Sequence, residues 1–170
     1  MIIQVSELPE EGLTFDDVES FGAAYADRTW HLDTVHLTLT PDGHDVAVDG
    51  QIEATIPQVC SRCLESFPSK VAASVAVHVI PRPAIGGDSN ELGQDDLDTD
   101  FYVNDQFDLD RLIEAETTLA LPMKPLCRTD CRGLCPVCGA NRNVTPCTCE
   151  VRQPDPRLAA LKQFNTRSEN

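Results

Sequence analysis

Residues 127–149 read CRTDCRGLCPVCGANRNVTPCTC and contain six of the eight cysteines of the chain. Successive cysteines in this stretch are separated by three, three, two, eight and one residues. The turn Cys135-Pro-Val-Cys138-Gly139 is typical of half a zinc knuckle, because the chain must fold back tightly to place two thiolates on one small ion. Cys147 and Cys149 follow closely enough to supply two more thiolates without a long loop closure.

The other cysteines form two further close pairs, Cys127 with Cys131 and Cys60 with Cys63. Four close pairs predict two tetrahedral sites of four thiolates each. The preferred partition joins the pairs that close locally and assigns the remaining pairs to a second site by elimination. The predicted metal ligands are Cys135, Cys138, Cys147 and Cys149 in one site, and Cys60, Cys63, Cys127 and Cys131 in the other. Ligation by thiolates alone, without the spacing of iron–sulfur proteins, favours zinc as the cofactor.

Two other interpretations of the cysteines are less favoured. Eight cysteines would suffice for four disulfides, but the first residues, MIIQVSE, lack the basic and apolar segments of a secretory signal. A reducing cytosol is therefore expected, and disulfides are rare there. A thioredoxin-like redox motif needs a strand and a helix around its C-x-x-C, and neither motif in this chain has that context.

Residues 31–80 show the two-residue alternation of half-buried antiparallel strands. Apolar and polar side chains alternate in three runs, at 35–39, 46–56 and 71–79. Gly50 interrupts the second run and predicts a bulge or a bend. Since the motif at 60–63 separates the second run from the third, it is expected at the tip of a strand-loop-strand unit.

A short strand at Phe101-Tyr102-Val103 and two helices are predicted after this sheet. Asp108 is a candidate N-cap for the first, which shows helical spacing of its apolar residues and stops at Pro122. Asp155-Pro156 predicts the start of a short C-terminal helix. The predicted class is α+β: an antiparallel β-sheet with a covering helix, a cysteine-rich zinc module and a short C-terminal helix.

The chain is expected to divide into three parts. Residues 1–30 are an N-terminal extension with no clear pattern, apart from one or two possible helical turns at 15–21. Residues 31–122 are the sheet-and-helix body, and residues 123–170 are the zinc module with the C-terminal helix. Within the body, residues 82–100 have six acids with Pro and Gly and little to bury, which predicts a mobile acidic loop. A solvated connector is the commoner interpretation of such a loop, and a mimic of nucleic-acid charge for a basic partner is the alternative.

Charge is distributed unevenly along the chain, whose net value is -15. Residues 1–120 carry 5 Lys+Arg against 24 Asp+Glu, whereas residues 121–170 carry 8 against 4. The acidic part repels phosphate backbones and attracts basic proteins. Each zinc with four thiolates adds about -2, which weakens the basic excess of the second part. The apolar runs are too short for a membrane span, so no membrane partner is expected.

No catalytic arrangement is visible, and the protein is not expected to be an enzyme. There is no glycine-rich phosphate loop, no H-E-x-x-H and no H-x-E beside a C-x-x-C. Zinc held by four thiolates has no open position for a reacting water, so the metal is expected to be structural. The four histidines lie away from the cysteine motifs and are expected at the surface or in packing roles: His31, His36, His44 and His78.

The motifs and their surroundings together resemble a known family. They are the C-x-x-C at 60–63, the helix end LALPMKP at 119–125, the stretch CRGLCPVCGANRN at 131–143 and the ending DPRLAALK at 155–162. The combination resembles the YceD family of 23S ribosomal RNA accumulation proteins. The string G-L-C-P-x-C-G-x-N-x-N is the specific part of this resemblance.

The resemblance implies a cytoplasmic, bacterial or plastid-type factor needed for synthesis, processing or stability of 23S rRNA, with no catalytic residues to carry over. With the acidic body, it favours a non-catalytic ribosome-biogenesis factor acting through a basic ribosomal protein or rRNA-processing enzyme. Its further partner would be 23S rRNA or a pre-ribosomal particle, contacted directly or indirectly. The alternative is a zinc-ribbon module binding rRNA through arginines such as Arg128, Arg132, Arg142 and Arg152. A thiol oxidoreductase is the least favoured function.

Overall fold

The structure is a computed structural model that describes residues 1–22, 24–82, 99–150 and 157. Within these ranges the chain forms seven strands and one α-helix: β1 (Ile2–Gln4), β2 (Leu13–Phe15), β3 (His31–Asp42), β4 (Asp45–Val59), β5 (Ser66–Pro81), β6 (Thr99–Tyr102), β7 (Gln106–Asp108) and α1 (Leu109–Leu119). The chain divides into two compact units. Unit 1 combines Met1–Gln58 with Ser66–Pro125, and unit 2 combines Val59–Glu65 with Leu126–Asn170.

Unit 1 is built on a five-stranded sheet with the order β2-β3-β4-β5-β6. The strands β2, β3 and β4 pair antiparallel, whereas β6 pairs parallel to β5. The sheet is therefore mixed. Parallel pairing of consecutive strands needs a long connection, and the chain between β5 and β6 is long enough. A separate two-stranded antiparallel sheet joins β1 to β7. The predicted α+β class is confirmed, with this parallel edge as an addition.

The core of unit 1 lies between one face of the five-stranded sheet and α1. Fully buried residues of the strands follow the predicted alternation, with Leu37, Val48 and Val79 each 0% exposed. Helix α1 contributes Leu109, Leu112 and Ile113 to the same apolar cluster. Its N-cap is Asp108, as predicted, and the carboxylate accepts the backbone N–H of Asp110 at 3.1 Å.

Gly50 lies in an unbroken part of the sheet, opposite Leu37. The irregularity in the β3–β4 ladder falls between Leu32 and Thr34 instead. A Cβ on Gly50 would lie 1.9 Å from the backbone oxygen of His36, so the position requires glycine for close approach of the two strands.

Residues 15–21, where one or two helical turns were predicted, contain the end of β2 and a 3₁₀ turn at Val18–Phe21. The predicted C-terminal helix lies outside the described residues, and so do residues 83–98 of the acidic loop. Among the described residues, no helix has the length and apolar character needed to cross a membrane.

Candidate metal centres

The C-x-x-C motif of Cys60 and Cys63 forms a tight turn in unit 2. The backbone N–H of Leu64 donates to the oxygen of Cys60 at 2.9 Å, and the N–H of Cys60 donates to the oxygen of Glu65 at 2.9 Å. Leu64 has φ 61°, a left-handed value that is uncommon for a residue with a side chain. Both cysteines of this turn are buried.

The motif of Cys135 and Cys138 forms the same turn. The N–H of Gly139 donates to the oxygen of Cys135 at 2.9 Å, and the N–H of Cys135 donates to the oxygen of Ala140 at 2.8 Å. Gly139 has φ 73° and occupies the position that Leu64 has in the first turn. The two motifs therefore share one backbone conformation, which places two thiols side by side.

The structure gathers the eight cysteines into two sets. The hairpin set is Cys60, Cys63, Cys127 and Cys131, and the local set is Cys135, Cys138, Cys147 and Cys149. In each set all four sulfurs lie within 4.8 Å of one another, and each set can hold a metal ion. These are the sets that the spacing predicts; metal binding by them stays a prediction.

Distances within the hairpin set suit a tetrahedral metal better than disulfides. The sulfurs of Cys60 and Cys131 are 3.8 Å apart, and those of Cys63 and Cys127 are 3.7 Å apart. Four sulfurs at about 2.3 Å from a tetrahedral zinc would lie about 3.8 Å from one another. A disulfide needs about 2.05 Å. All eight cysteines are free thiols in the structure.

Backbone amides stabilise the ionised form of the first cysteine in each C-x-x-C turn. The N–H groups of Cys127 and then of the C-x-x-C turn lower the pKa of Cys60 to about 6. The N–H groups of Cys138 and then Val137 lower the pKa of Cys135 to about 6. Both C-x-x-C turns thus prepare their first cysteine as a thiolate, which is the form that binds metals.

Another thiol in each set resists ionisation. Burial, and then the neighbouring thiols, raise the pKa of Cys127 to about 12. The Cys138 thiol, and then burial, raise the pKa of Cys149 to about 12. Four negative sulfurs packed this closely repel one another, and a divalent cation removes that repulsion. Each set therefore suits a dication that displaces the remaining protons.

The family can be placed by comparison with known proteins. The family model described as "Large ribosomal RNA subunit accumulation protein YceD" matches residues 48–165, which include both cysteine sets. This chain belongs to the YceD family.

Curated relatives of this YceD chain include bacterial and plant proteins. An uncharacterized protein of Mycobacterium tuberculosis is 32% identical over 120 residues, covering 70% of this chain and 55% of the relative. One of Mycobacterium leprae is 30% identical over 105 residues, covering 60% and 45%. The Zea mays protein named "Large ribosomal RNA subunit accumulation protein YCED homolog 1, chloroplastic" is 29% identical over 129 residues, covering 62% and 44%. The chain thus spans about half the length of the curated relatives it matches. No solved structure matches it.

Hydrogen bonds of Arg62 link the first C-x-x-C turn of this YceD chain to the segment from Cys131 to Cys135 within unit 2. The oxygen of Arg62 accepts the N–H of Leu134 at 2.9 Å, and the Arg62 guanidinium donates to the oxygen of Cys131 at 3.0 Å. Gly133 has φ 67°, and a Cβ there would lie 2.9 Å from the Arg62 oxygen. Gly133 and Leu134 therefore pack directly against the first C-x-x-C turn.

Asparagine side chains add a connection that sequence reasoning missed. Asn143 donates from Nδ2 to the sulfur of Cys131 at 3.3 Å, and Asn141 donates from Nδ2 to Glu65 at 2.7 Å. The N-x-N spacing within the family string was the available signal, but spacing alone does not show which sulfur an amide contacts. The four histidines are all exposed, and neither cysteine set contains one.

Proposed function

We propose that this chain is a non-catalytic factor for accumulation of the large-subunit rRNA, and that each cysteine set holds a structural zinc ion. The observation that carries the proposal is the presence of two complete four-thiol sets in a chain of a family described by large ribosomal RNA subunit accumulation. The proposed setting is the cytoplasm, where ribosome biogenesis takes place in bacteria.

The ligands proposed for zinc are the four cysteines of each set. Bound zinc would supply crosslinks between chain segments that are far apart in sequence, as in the 71-residue separation of Cys60 and Cys131. Four thiolates fill the coordination sphere, so neither metal would have a position for a water or a substrate. This donor set supports a structural role and argues against metal-dependent catalysis.

The proposed partner is a basic protein, either a ribosomal protein or an rRNA-processing enzyme. Unit 1 carries 5 Lys+Arg against 23 Asp+Glu, a net charge of -18. Unit 2 carries 8 against 5, a net charge of +3, and two loaded sites at about -2 each would leave it close to neutral. Neither unit then offers a strong field for the phosphate backbone, whereas unit 1 attracts cations. 23S rRNA or a pre-ribosomal particle would be reached mainly through the protein partner.

Direct rRNA binding by unit 2 is the second candidate. Arg132 and Arg142 are exposed, and their backbones are adjacent because Arg142 donates to the oxygen of Gly133 at 2.9 Å. A third candidate, Arg128, is partly engaged, because its Nε lies 3.5 Å from Oδ1 of Asp130. Arg152 lies outside the described residues.

The function is tested by deleting the gene for this protein in its host and measuring the amounts of 23S and 16S rRNA. We expect 23S rRNA to fall relative to 16S rRNA, and the wild-type chain to restore it. The Cys60→Ser/Cys63→Ser variant should restore it poorly, whereas the surface variant Val144→Ala should restore it fully. An equal fall in both rRNAs, or an unchanged 23S level, would contradict the proposal.

The partner is tested by capture from lysate with and without ribonuclease, together with anisotropy on a 23S fragment. A basic protein that remains bound after ribonuclease treatment, with weak binding to the bare RNA, is the expected result. Tight RNA binding that disappears in Arg132→Ala and Arg142→Ala would favour the second candidate instead.

A further inference from the structure

The side-chain amide of Asn143 forms hydrogen bonds with Cys131 of the hairpin set and with two residues close to it, Arg132 and Asn141. Its Nδ2 donates to the sulfur of Cys131 at 3.3 Å and to Oδ1 of Asn141 at 2.9 Å. Its Oδ1 accepts the backbone N–H of Arg132 at 2.8 Å. A reversed amide would place oxygen against the sulfur and the Asn141 oxygen, and would place NH₂ against the Arg132 N–H. These partners therefore fix the amide with its donor toward Cys131.

The position of Asn143 depends on the local set. Asn141 follows Ala140, whose oxygen accepts the N–H of Cys135 at 2.8 Å, and it forms a bridge with Leu134. Oδ1 of Asn141 then accepts the backbone N–H of Asn143 at 3.0 Å. The turn that carries the first cysteine of the local set is thus connected to the amide that contacts Cys131, through the peptide bond from Ala140 to Asn141 and the hydrogen bond from Asn143 to Asn141.

The same segment also reaches the turn of the hairpin set. Nδ2 of Asn141 donates to the Glu65 carboxylate at 2.7 Å, two residues after Cys63. A metal in the local set would hold Cys135 and Cys138 in their turn, and so would keep both asparagines in place. An N–H donor aimed at a thiolate ligand orients that ligand and stabilises its charge.

We propose that Asn143 is an outer-sphere positioning residue through which metal binding at the local set raises the metal affinity of the hairpin set. The inference rests on the proposed metal sites and adds that the two are thermodynamically coupled. By linkage, a metal in the hairpin set raises the affinity of the local set by the same factor.

The first test is cadmium-113 NMR of the full chain loaded with Cd²⁺, in which each four-thiolate site gives its own resonance. Cys60→Ser identifies the resonance of the hairpin set. The Asn143→Asp variant keeps the acceptor for the Arg132 N–H and replaces the donor to Cys131 with a carboxylate oxygen. We expect it to move the hairpin resonance, leave the local resonance in place and lower the Cd²⁺ affinity of the hairpin set about 10–100-fold.

The control is Val144→Ala, an exposed neighbour whose side chain lies outside this network. It should leave both resonances and both affinities unchanged. If neither resonance is observed for Asn143→Asp, the same measurements are made on Asn143→Ala, which removes the donor without adding charge. The expected result is the same: a moved hairpin resonance and a lower Cd²⁺ affinity of the hairpin set. An unmoved hairpin resonance with unchanged affinity in the donor-free variants would overturn the role of Asn143. A wild-type protein that binds no Cd²⁺ would instead overturn the metal sites themselves.

The second test is a double-mutant cycle on the hairpin affinity. Cys138→Ser/Cys149→Ser disables the local set, and it is combined with Asn143→Asp. If Asn143 transmits the coupling, the local-set variant lowers the hairpin affinity and the two effects are less than additive. Additive effects, or a hairpin affinity indifferent to the local set, would overturn the coupling.

Discussion

Leu64 and Gly139 occupy the same position in the two C-x-x-C turns of unit 2. Each follows the second cysteine, each donates its N–H to the oxygen of the first cysteine at 2.9 Å, and each has positive φ, 61° for Leu64 and 73° for Gly139. Glycine adopts this conformation without strain, whereas leucine does not. The first turn is therefore formed against a local preference, and contacts elsewhere in unit 2 must stabilise it.

Leu64→Gly should stabilise the protein slightly. It relieves backbone strain of about 1–2 kcal/mol, offset by about 0.5–1 kcal/mol for the greater freedom of glycine in the unfolded chain. Little packing is lost, because Leu64 is 63% exposed. Urea unfolding of the zinc-loaded protein measures the difference. The reverse exchange, Gly139→Leu, should lower the free energy of unfolding, and stabilisation by it would contradict the equivalence of the two turns.

Gly133→Ala should cost more stability than Gly139→Ala, although both glycines have positive φ. An added Cβ at Gly139 meets nothing within 4 Å. The substitution therefore costs only the strain of a positive φ in a residue with a side chain, about 1 kcal/mol. An added Cβ at Gly133 lies 2.9 Å from the Arg62 oxygen and adds a steric cost of about 1–3 kcal/mol. If urea unfolding gives equal losses in the free energy of unfolding for the two variants, the backbone at Arg62 can move away from the added Cβ without an energetic cost.

Zinc content should be about two equivalents per chain in protein purified without chelator. Cys60→Ser/Cys63→Ser should remove one equivalent, and Cys135→Ser should remove a different one. Elemental analysis of each variant, with Val144→Ala as the control, measures this. If the two cysteine variants lose the same ion, the partition into hairpin and local sets is wrong.

A chelator should remove metal from the local set first. Cys138 and Cys149 are exposed, whereas Cys60 and Cys131 are 0% and 3% exposed, so a competing ligand reaches the local set more easily. Loss of the two cadmium-113 resonances during slow addition of EDTA should follow that order. Earlier loss of the hairpin resonance would mean that burial does not govern access to the metals.

Metal affinity should fall as pH falls, and most steeply below about pH 6. Protons compete for thiols such as Cys127, with a pKa near 12, throughout the neutral range. The thiols of Cys60 and Cys135 have pKa values lowered from 9.0 to about 6, so their preference for the ionised form is present above pH 9 and is lost as pH falls through 6. Competition with a chelator of known proton affinity measures the slope. A pH-independent affinity would contradict thiolate ligation.

Much of the sheet could be predicted from sequence, because side chains of a strand point alternately to opposite faces. Leu37, Val48 and Val79 are buried where the alternation places them. The short strands β1, β2 and β7 were not predicted, since three residues do not establish a period, whereas β6 overlaps the short strand predicted at Phe101-Tyr102-Val103. Their pairing depends on partners far along the chain, as does the parallel direction of β6.

The cysteine pairs were visible in the sequence because two thiolates on one ion are most easily supplied by residues close in the chain. Which pairs lie together is a tertiary property: folding brings the sulfurs of Cys60 and Cys131 within 3.8 Å across 71 residues. The shared conformation of Leu64 and Gly139, and the amide of Asn143 on Cys131, appear only in the structure. Backbone angles against local preference and hydrogen bonds between separate segments depend on the surrounding fold, and spacing along the chain does not encode them.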